Sequence, residues 1–470
     1  MINKLLKYAP VQIFSALSVF VLIALQTKSL SLSDYGLLAV FMLISEVVRS
    51  FSAQWVSASM LRLYPTQTSL KKIEYLSASV CMLFTLFVPA VILIVLGLIY
   101  HDVYSLEVLI LLSFFLLSKS IHLYFMDIAR LNDKLTQFRL ASIIQAISSV
   151  LITFSLLSYR PVIEYALYSL IISYLLVMPL LLFKIQIKWP KDKVVVASIT
   201  QYGMPLMLSG VLASLVSRVD RIFIANSIGL SEAGVYSGIS NLLLGVIALV
   251  FMIIAMPLYP ELTQAIGDRN KLALLHKKYI NILMFVSMPA LCGLCILAEP
   301  LITLFLTPEY LKHGLELFYL LAASVFVLNL RGHYIDHGLQ FTLNTRFLPL
   351  ITGLSLALNV VIIYALIDDY GLYGAAVASL IASIFSLFLS YGVSTYKGYK
   401  YSFGGDVFKT ILSCGVMAMS LLVINKQVLG LGVMSQLSIL IVTGVISYCA
   451  AHVALNTSGV RSVVLKAFVK

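Results

Sequence analysis

Runs of about 20 apolar residues recur along this chain from end to end, and no other feature limits its fold as tightly. A hydrocarbon layer roughly 30 Å thick is crossed by about 20 helical residues, because each residue advances the helix by about 1.5 Å. A soluble domain can bury many apolar side chains, but it does not need run after run of that length. Charged residues make up 11% of the chain and hydrophobic ones 61%, whereas soluble domains carry about 25% charged residues. Mean hydropathy is +1.01. The chain therefore reads as an all-α polytopic membrane protein of about fourteen transmembrane helices with no sizeable soluble domain.

The expected spans are 8–26, 35–60, 76–100, 106–125, 141–158 and 165–183 in the first half. In the second half they are 202–228, 235–258, 280–306, 315–330, 348–367 and 373–396, followed by 407–424 and 434–455. The basic N-terminal segment leads into its apolar run without a small-residue cleavage site, so it is expected to be a membrane helix rather than a removable signal peptide.

Lysine and arginine set the orientation. With the N-terminus inside, 24 of the 32 basic residues fall on the cytoplasmic side, 4 fall outside and 4 lie within spans. That asymmetry is a strong positive-inside signal, and both termini are expected to be cytoplasmic. The net charge of +12 then reports topology and contact with anionic lipid, and no nucleic-acid partner is expected.

The two halves echo each other. Tyr8-Ala9-Pro10 opens the first span and Tyr202-Gly203-Met204-Pro205 the seventh. Leu32-Ser33-Asp34-Tyr35-Gly36 follows the first span, and Leu230-Ser231-Glu232-Ala233-Gly234 follows the seventh. Val88-Pro89-Ala90 matches Met288-Pro289-Ala290. An even number of spans separates the copies, so the repeat is parallel, about an axis along the membrane normal. The expected organisation is a six-helix bundle over 1–199, a second over 200–396, and two further helices with a cytoplasmic tail over 397–470. Prolines within the spans bend helices, which a membrane bundle tolerates where neighbours or cavity water satisfy the freed carbonyls.

Chemistry is sought among ionisable residues at bilayer depth. Arg49 lies about 13 residues into its span, with Glu46 three residues earlier on the same face. Lys119 is similarly deep, and His122 shares its face. Arg218, Asp220 and Arg221 lie towards the outer end of the seventh span. Each central cation costs roughly 2.5–3.5 kcal/mol to insert, so four facing lipid would cost on the order of 10 kcal/mol. They must face a partner or a wet cavity. One reading makes Arg49, Lys119, Arg218 and Arg221 the lining of a cationic cavity for a phosphate or diphosphate. The other makes them interhelical ion pairs that fix the packing. Glu46, Asp220 and Glu299 are candidate sites for a coupling proton or sodium ion. The basic amphipathic stretch 261–278 is expected to lie on the inner membrane surface. Cys292 and Cys295 form a CxxC without neighbouring ligands, and no metal or cofactor is expected.

The stretch from Tyr202 to Pro205, through Ser217-Arg218-Val219-Asp220-Arg221-Ile222-Phe223-Ile224-Ala225, to Leu230 through Ser237 resembles the polysaccharide-biosynthesis flippases of the multidrug/oligosaccharidyl-lipid/polysaccharide exporter superfamily. Leu32 to Gly36 and the Trp55 to Arg62 segment are similar to O-antigen flippases. The resemblance covers nearly the whole chain, through motifs that are mostly diffuse. It implies a bacterial inner-membrane flippase that moves an undecaprenyl-diphosphate-linked oligosaccharide, an O-antigen repeat unit, to the periplasmic leaflet. It also implies alternating access through a cationic cavity, ion-gradient coupling, and a polysaccharide polymerase and chain-length regulator as partners. Arg49, Lys119, Arg218 and Arg221 are the positions that fit the cavity role, Lys119 by location only. The alternatives are a multidrug antiporter of the same superfamily or a membrane enzyme of the pathway, a polymerase or ligase. The excess of deep cations favours an anionic substrate, and the short outer loops leave no room for an enzyme's acceptor site.

Overall fold

The computed structural model describes residues 2–456 apart from 66, 101–104, 133, 183–186, 188, 190–191 and 403–405. Several basic residues that set the expected orientation, among them Lys184, Lys188, Lys191, Arg461, Lys466 and Lys470, lie outside the described residues. The secondary structure is helical throughout what is described. The chain divides into two compact units, Met1–Ser237 and Gly238–Lys470.

The first unit contains α1 (Ile2–Ser29), α2 (Leu32–Arg49), α3 (Trp55–Leu63), α4 (Ser69–Tyr100), α5 (Leu106–Leu131), α6 (Leu135–Tyr159), α7 (Ile163–Leu176), α8 (Met178–Leu182), α9 (Lys193–Val216) and α10 (Asp220–Ser227). α11 (Leu230–Gln264) begins in it and runs on into the second unit. There follow α12 (Arg269–Ile296), α13 (Ala298–Phe305), α14 (Glu316–Leu330), α15 (His337–Phe341), α16 (Phe347–Tyr396), α17 (Asp406–Val428) and α18 (Val433–Ala454).

Among the described residues eleven helices are long and apolar enough to cross a bilayer, and twelve if the bent α9 counts as one span. Two of these differ from a simple span in a way the chemistry explains. α16 has 50 residues, about 75 Å of helix, more than twice the hydrocarbon thickness. It breaks at Gly371, whose φ of 55° and ψ of −130° belong to glycine alone. The break falls beside Asp368 and Asp369, between the spans expected at 348–367 and 373–396. Gly371→Ala is expected to lower stability by about 1–3 kcal/mol, the usual penalty for a side chain in such a conformation. An unchanged melting midpoint of the purified variant would show that the break is relaxed.

The second case is α9, which bends by 40° between Met204 and Leu206. It ends at Val216, and a turn over 217–219 separates it from α10. The span expected at 202–228 is thus not one helix.

Capping side chains set several helix starts. Ser31 caps α2: its Oγ accepts from the Asp34 amide at 3.1 Å and donates to the Asp34 carboxylate at 2.9 Å. The Asp192 carboxylate accepts from the Val194 amide at the start of α9, and that of Asp268 from the Asn270 and Lys271 amides at the start of α12. Between α2 and α3 the helix widens into a π-turn over Ser50–Gln54, immediately after Arg49. Such turns insert one extra residue and cluster at functional sites. The Trp55 indole N–H donates to the Phe51 carbonyl at 2.7 Å, and the Ser52 hydroxyl to that of Val48 at 2.7 Å.

Two expectations are corrected. The span expected to end at residue 330 continues through a second π-turn, Arg331–Ile335, into α15. Arg331 is therefore not in a cytoplasmic loop but buried. The stretch 261–278 is not a separate surface helix: its ends are the last turn of α11 and the first turns of α12, with a short turn between.

Burial sorts the helices of the first unit. In the apolar windows of α2–α3 and of α5, 67% of residues are buried, against 17% in α4. α2, α3 and α5 are thus inner helices, packed through Phe41 of α2, Val56 and Met60 of α3, and Leu112, Phe115 and Leu116 of α5, and α4 is peripheral. Arg49 and Lys119 lie on these inner helices, whereas Arg218 is in the turn after α9 and Arg221 is on α10.

Candidate functional site

Glu46 is the hub. Its Oε2 takes the Arg49 guanidinium at 2.9 Å through Nη2 and 3.1 Å through Nε. Its Oε1 takes the Lys119 ammonium at 2.8 Å. A spacing of three residues on α2 aligns Glu46 with Arg49. Only packing of α5 against α2 brings in Lys119. Lys119 also donates to the Ser45 hydroxyl at 2.7 Å and lies 5.6 Å from the centre of the Phe115 ring. The Lys119 side chain is 9% exposed, those of Glu46 and Arg49 22% each.

Arg218, in the turn after α9, lies close enough to repel the Lys119 ammonium. Among the described residues no carboxylate forms an ion pair with it. Asp127 feels the Arg49 charge too, but it is matched by Arg130 at 3.7 Å. The cluster therefore carries two positive charges more than its acids cancel. Beside it, Ser50 at the start of the π-turn meets Ser214 of α9 at 2.9 Å and donates to Gln54 at 2.8 Å. Two cations share one acid here, so an incoming anion can take them over without breaking closed one-to-one pairs.

The remaining sequence candidates sit elsewhere. Arg221 is 1% exposed and Asp220 6%. Asp220 accepts a hydrogen bond from the Tyr236 hydroxyl, and Tyr35, Asp220 and Tyr236 all face Arg221 electrostatically. His122 is buried beside Lys119 on α5 and stacks obliquely on Tyr174 with ring centres 5.1 Å apart. Glu299 is exposed in the first turn of α13, in the second unit. Cys292 lies against the Cys414 carbonyl at 3.8 Å.

Sequence reasoning missed a second buried group. Arg331 reaches Asp336 at 3.4 Å and donates to Thr352 Oγ1 at 2.9 Å, and the Ser390 hydroxyl donates to Asp336 at 2.5 Å. Next to it, His276 accepts or donates at 2.7 Å with the Tyr399 hydroxyl and packs on Tyr334 and His337 with ring centres 4.4 Å and 5.6 Å apart. Arg331, Tyr334, Asp336 and His337 were hidden because their helix, Glu316–Phe341, has a mean hydropathy of only 1.2, the lowest of the eleven. The polar run that makes the cluster is the same run that ends an apolar window. The i, i+5 spacing of Arg331 and Asp336, which fits the wide turn between them, was the available signal.

Comparison with known proteins agrees with this architecture. Residues 27–313 match the family of polysaccharide biosynthesis proteins. An uncharacterized membrane protein in the cps region of Klebsiella pneumoniae is 24% identical over 192 residues, 40% of this chain and 39% of that protein's length. The structure of lipid II flippase MurJ in an inward closed conformation superposes with a TM-score of 0.74 at 18% identity, over 96% of this chain and 98% of MurJ. An inward-facing multidrug resistance MATE family transporter of the MOP superfamily gives 0.60 at 13% identity, over 82% and 94%. At such identities the likeness is one of fold. This multi-pass membrane protein belongs to the polysaccharide biosynthesis protein family.

Proposed function

We propose that the chain is a flippase that carries an undecaprenyl-diphosphate-linked oligosaccharide, such as an O-antigen repeat unit, from the cytoplasmic to the periplasmic leaflet of the bacterial inner membrane. The observation that carries this reading is the shared carboxylate: among the described residues Glu46 pairs with both Arg49 and Lys119, and the Arg218 charge is felt at Lys119. A diphosphate offers more acceptor oxygens and more charge than Glu46, so it competes for the same two side chains. Once displaced, the Glu46 carboxylate at bilayer depth needs a cation, and a proton or sodium ion supplies the link to an ion gradient. That makes Glu46 the first choice among the coupling candidates, ahead of Asp220 and Glu299. The likeness to MurJ, a lipid II flippase by its name, supports a lipid-linked substrate here.

The same reading takes fourteen spans in two six-helix bundles, 1–199 and 200–396, with two further helices after 397. It counts α1 as a span and α16 as two, and it places both termini in the cytoplasm. Polysaccharide polymerase and chain-length regulator are the expected partners.

The test is complementation of a strain lacking its own O-antigen flippase, read as lipid-linked surface sugar. Arg49→Ala and Lys119→Ala are expected to lower surface polysaccharide at least tenfold with expression intact, a loss of about 1.4 kcal/mol or more. Arg49→Lys should keep part of the activity, because it retains the charge and loses the fork. Wild-type levels in both alanine variants would remove the site assignment.

A further inference from the structure

The break at Gly371 folds α16 back on itself. Across that fold the Ser355 hydroxyl donates to the Ala382 carbonyl at 3.0 Å. The two ends of the helix therefore meet on one side of the bilayer. Lys397, at the C-terminal end, holds its ammonium 5.0 Å from the ring centre of Phe347, the first residue of the helix. It also lies 5.2 Å from the Tyr396 ring. Arg346, just before the helix, holds its guanidinium 5.2 Å from the same Phe347 ring. Two cations thus converge on one aromatic ring. Such contacts attract weakly at an exposed position and leave N–H groups free to donate elsewhere. Among the described residues neither cation forms an ion pair with an acid.

The turn beside them carries a residue that its backbone does not favour. α15 ends with the Asn344 amide donating to the Leu339 carbonyl at 2.8 Å and the Leu343 amide to that of Gln340 at 3.2 Å. That paired pattern needs a left-handed residue at 343, a place that glycine usually takes. Leucine stands there instead, at φ 58° and 86% exposed. In water this side chain would offset none of the backbone strain, because it buries so little against the protein. At a lipid surface it is immersed among acyl chains. Tyr396, 84% exposed next to Lys397, is of the residue type that settles at the headgroup level.

We propose that Arg346, Lys397 and Leu343 form a site for one anionic phospholipid, with its phosphate against the two cations and Leu343 among its acyl chains. Charge complementarity and the exposed leucine together name this occupant. Two unpaired cations, one of them a forked guanidinium, suit a phosphate. A free phosphate would satisfy them yet leave Leu343 in water. A lipid without net charge would cover Leu343 yet leave the positive charge uncancelled. The orientation expected from Lys and Arg puts the site in the inner leaflet, whose anionic headgroups attract basic residues near the surface. A lipid bound there ties the two ends of α16 together, so it stabilises the folded second unit. The Glu46 cluster lies in the first unit, and the proposal needs no transport step.

Purified full-length protein in neutral detergent is titrated with phosphatidylglycerol, phosphatidylcholine or inorganic phosphate while its melting midpoint is followed. Phosphatidylglycerol is expected to raise the midpoint by several degrees and to saturate, and the other two to leave it unmoved. Arg346→Gln and Lys397→Gln should each raise the half-maximal phosphatidylglycerol concentration roughly fivefold, and the double variant roughly tenfold or more. Leu343→Asn supplies a residue that tolerates the left-handed turn and removes the apolar arm, so it should weaken the lipid in the same direction. Lys278→Gln removes an exposed lysine of α12 outside the cluster and should change nothing. An unshifted half-maximal concentration in the Arg346, Lys397 double variant overturns the site. So does an equal midpoint shift with inorganic phosphate, which would mean an anion site without a lipid. An equal shift with phosphatidylcholine overturns it as well, since any lipid would then serve. A loss in Lys278→Gln as large as in Arg346→Gln has the same force, because the attraction would be spread over the whole basic face.

Discussion

Glu46→Gln is expected to destabilise the protein by about 3 kcal/mol and to abolish transport. The amide keeps the shape of the side chain but not its charge. Arg49 and Lys119 would then face each other and Arg218 with no carboxylate among them. Removing one member of a buried ion pair costs about 3–5 kcal/mol, because the partner charge stays buried and uncompensated. Glu46 is 22% exposed on its side chain, which argues for the lower end of that range. The melting midpoint of purified protein measures the effect. Adding Lys119→Met to Glu46→Gln should recover most of the lost stability, since the most buried of the cations leaves with the acid. A double variant no more stable than Glu46→Gln would show that the two side chains are not coupled. Recovery of stability without recovery of transport is the expected pairing, because the headgroup would have lost a ligand.

Asp336→Ala is expected to be equally damaging, for the same reason in the other unit. Arg331 and Asp336 are 6% and 8% exposed, and Asp336 is further held by Ser390. Truncating the acid strands Arg331 in a buried π-turn with Thr352 as its remaining partner, at about 3–5 kcal/mol. The double change Arg331→Leu with Asp336→Leu should be close to wild type in melting midpoint, because a buried ion pair is often no better than apolar side chains of similar size. Full stability of Asp336→Ala alone would mean that water reaches Arg331 and that the pair is not sealed. This unit needs the test most, because its polar cluster did not show in the sequence.

How much was legible depended on distance along the chain. Helix positions followed from apolar run length, but α9 and α12 begin at Lys193 and Arg269, ahead of the expected 202 and 280, where Asp192 and Asp268 cap polar first turns that an apolar run does not include. These are local effects of solvent and backbone. The Glu46–Arg49 pair was readable too, because three residues on one helix fix their relative direction. The break near Asp368 and Asp369 was readable because two charges and a glycine interrupt an apolar run. By contrast, the seventh span was read as a single helix. Nothing local in Ser217-Arg218-Val219 marks the turn that separates α9 from α10.

What the residue order alone determined, then, is a membrane-spanning helical chain with cations at depth and two halves that echo each other. A bilayer leaves few other options for such runs, and helical geometry handles the short-range pairs. Which acid each cation meets was decided only by tertiary packing. Lys119 reaches Glu46 across 73 residues of chain because α5 lies on α2. Gly36 and Gly234 touch across 198 because two helices cross there. Contacts of that range depend on how side chains fill space between helices, and a run of apolar letters says little about which faces will meet.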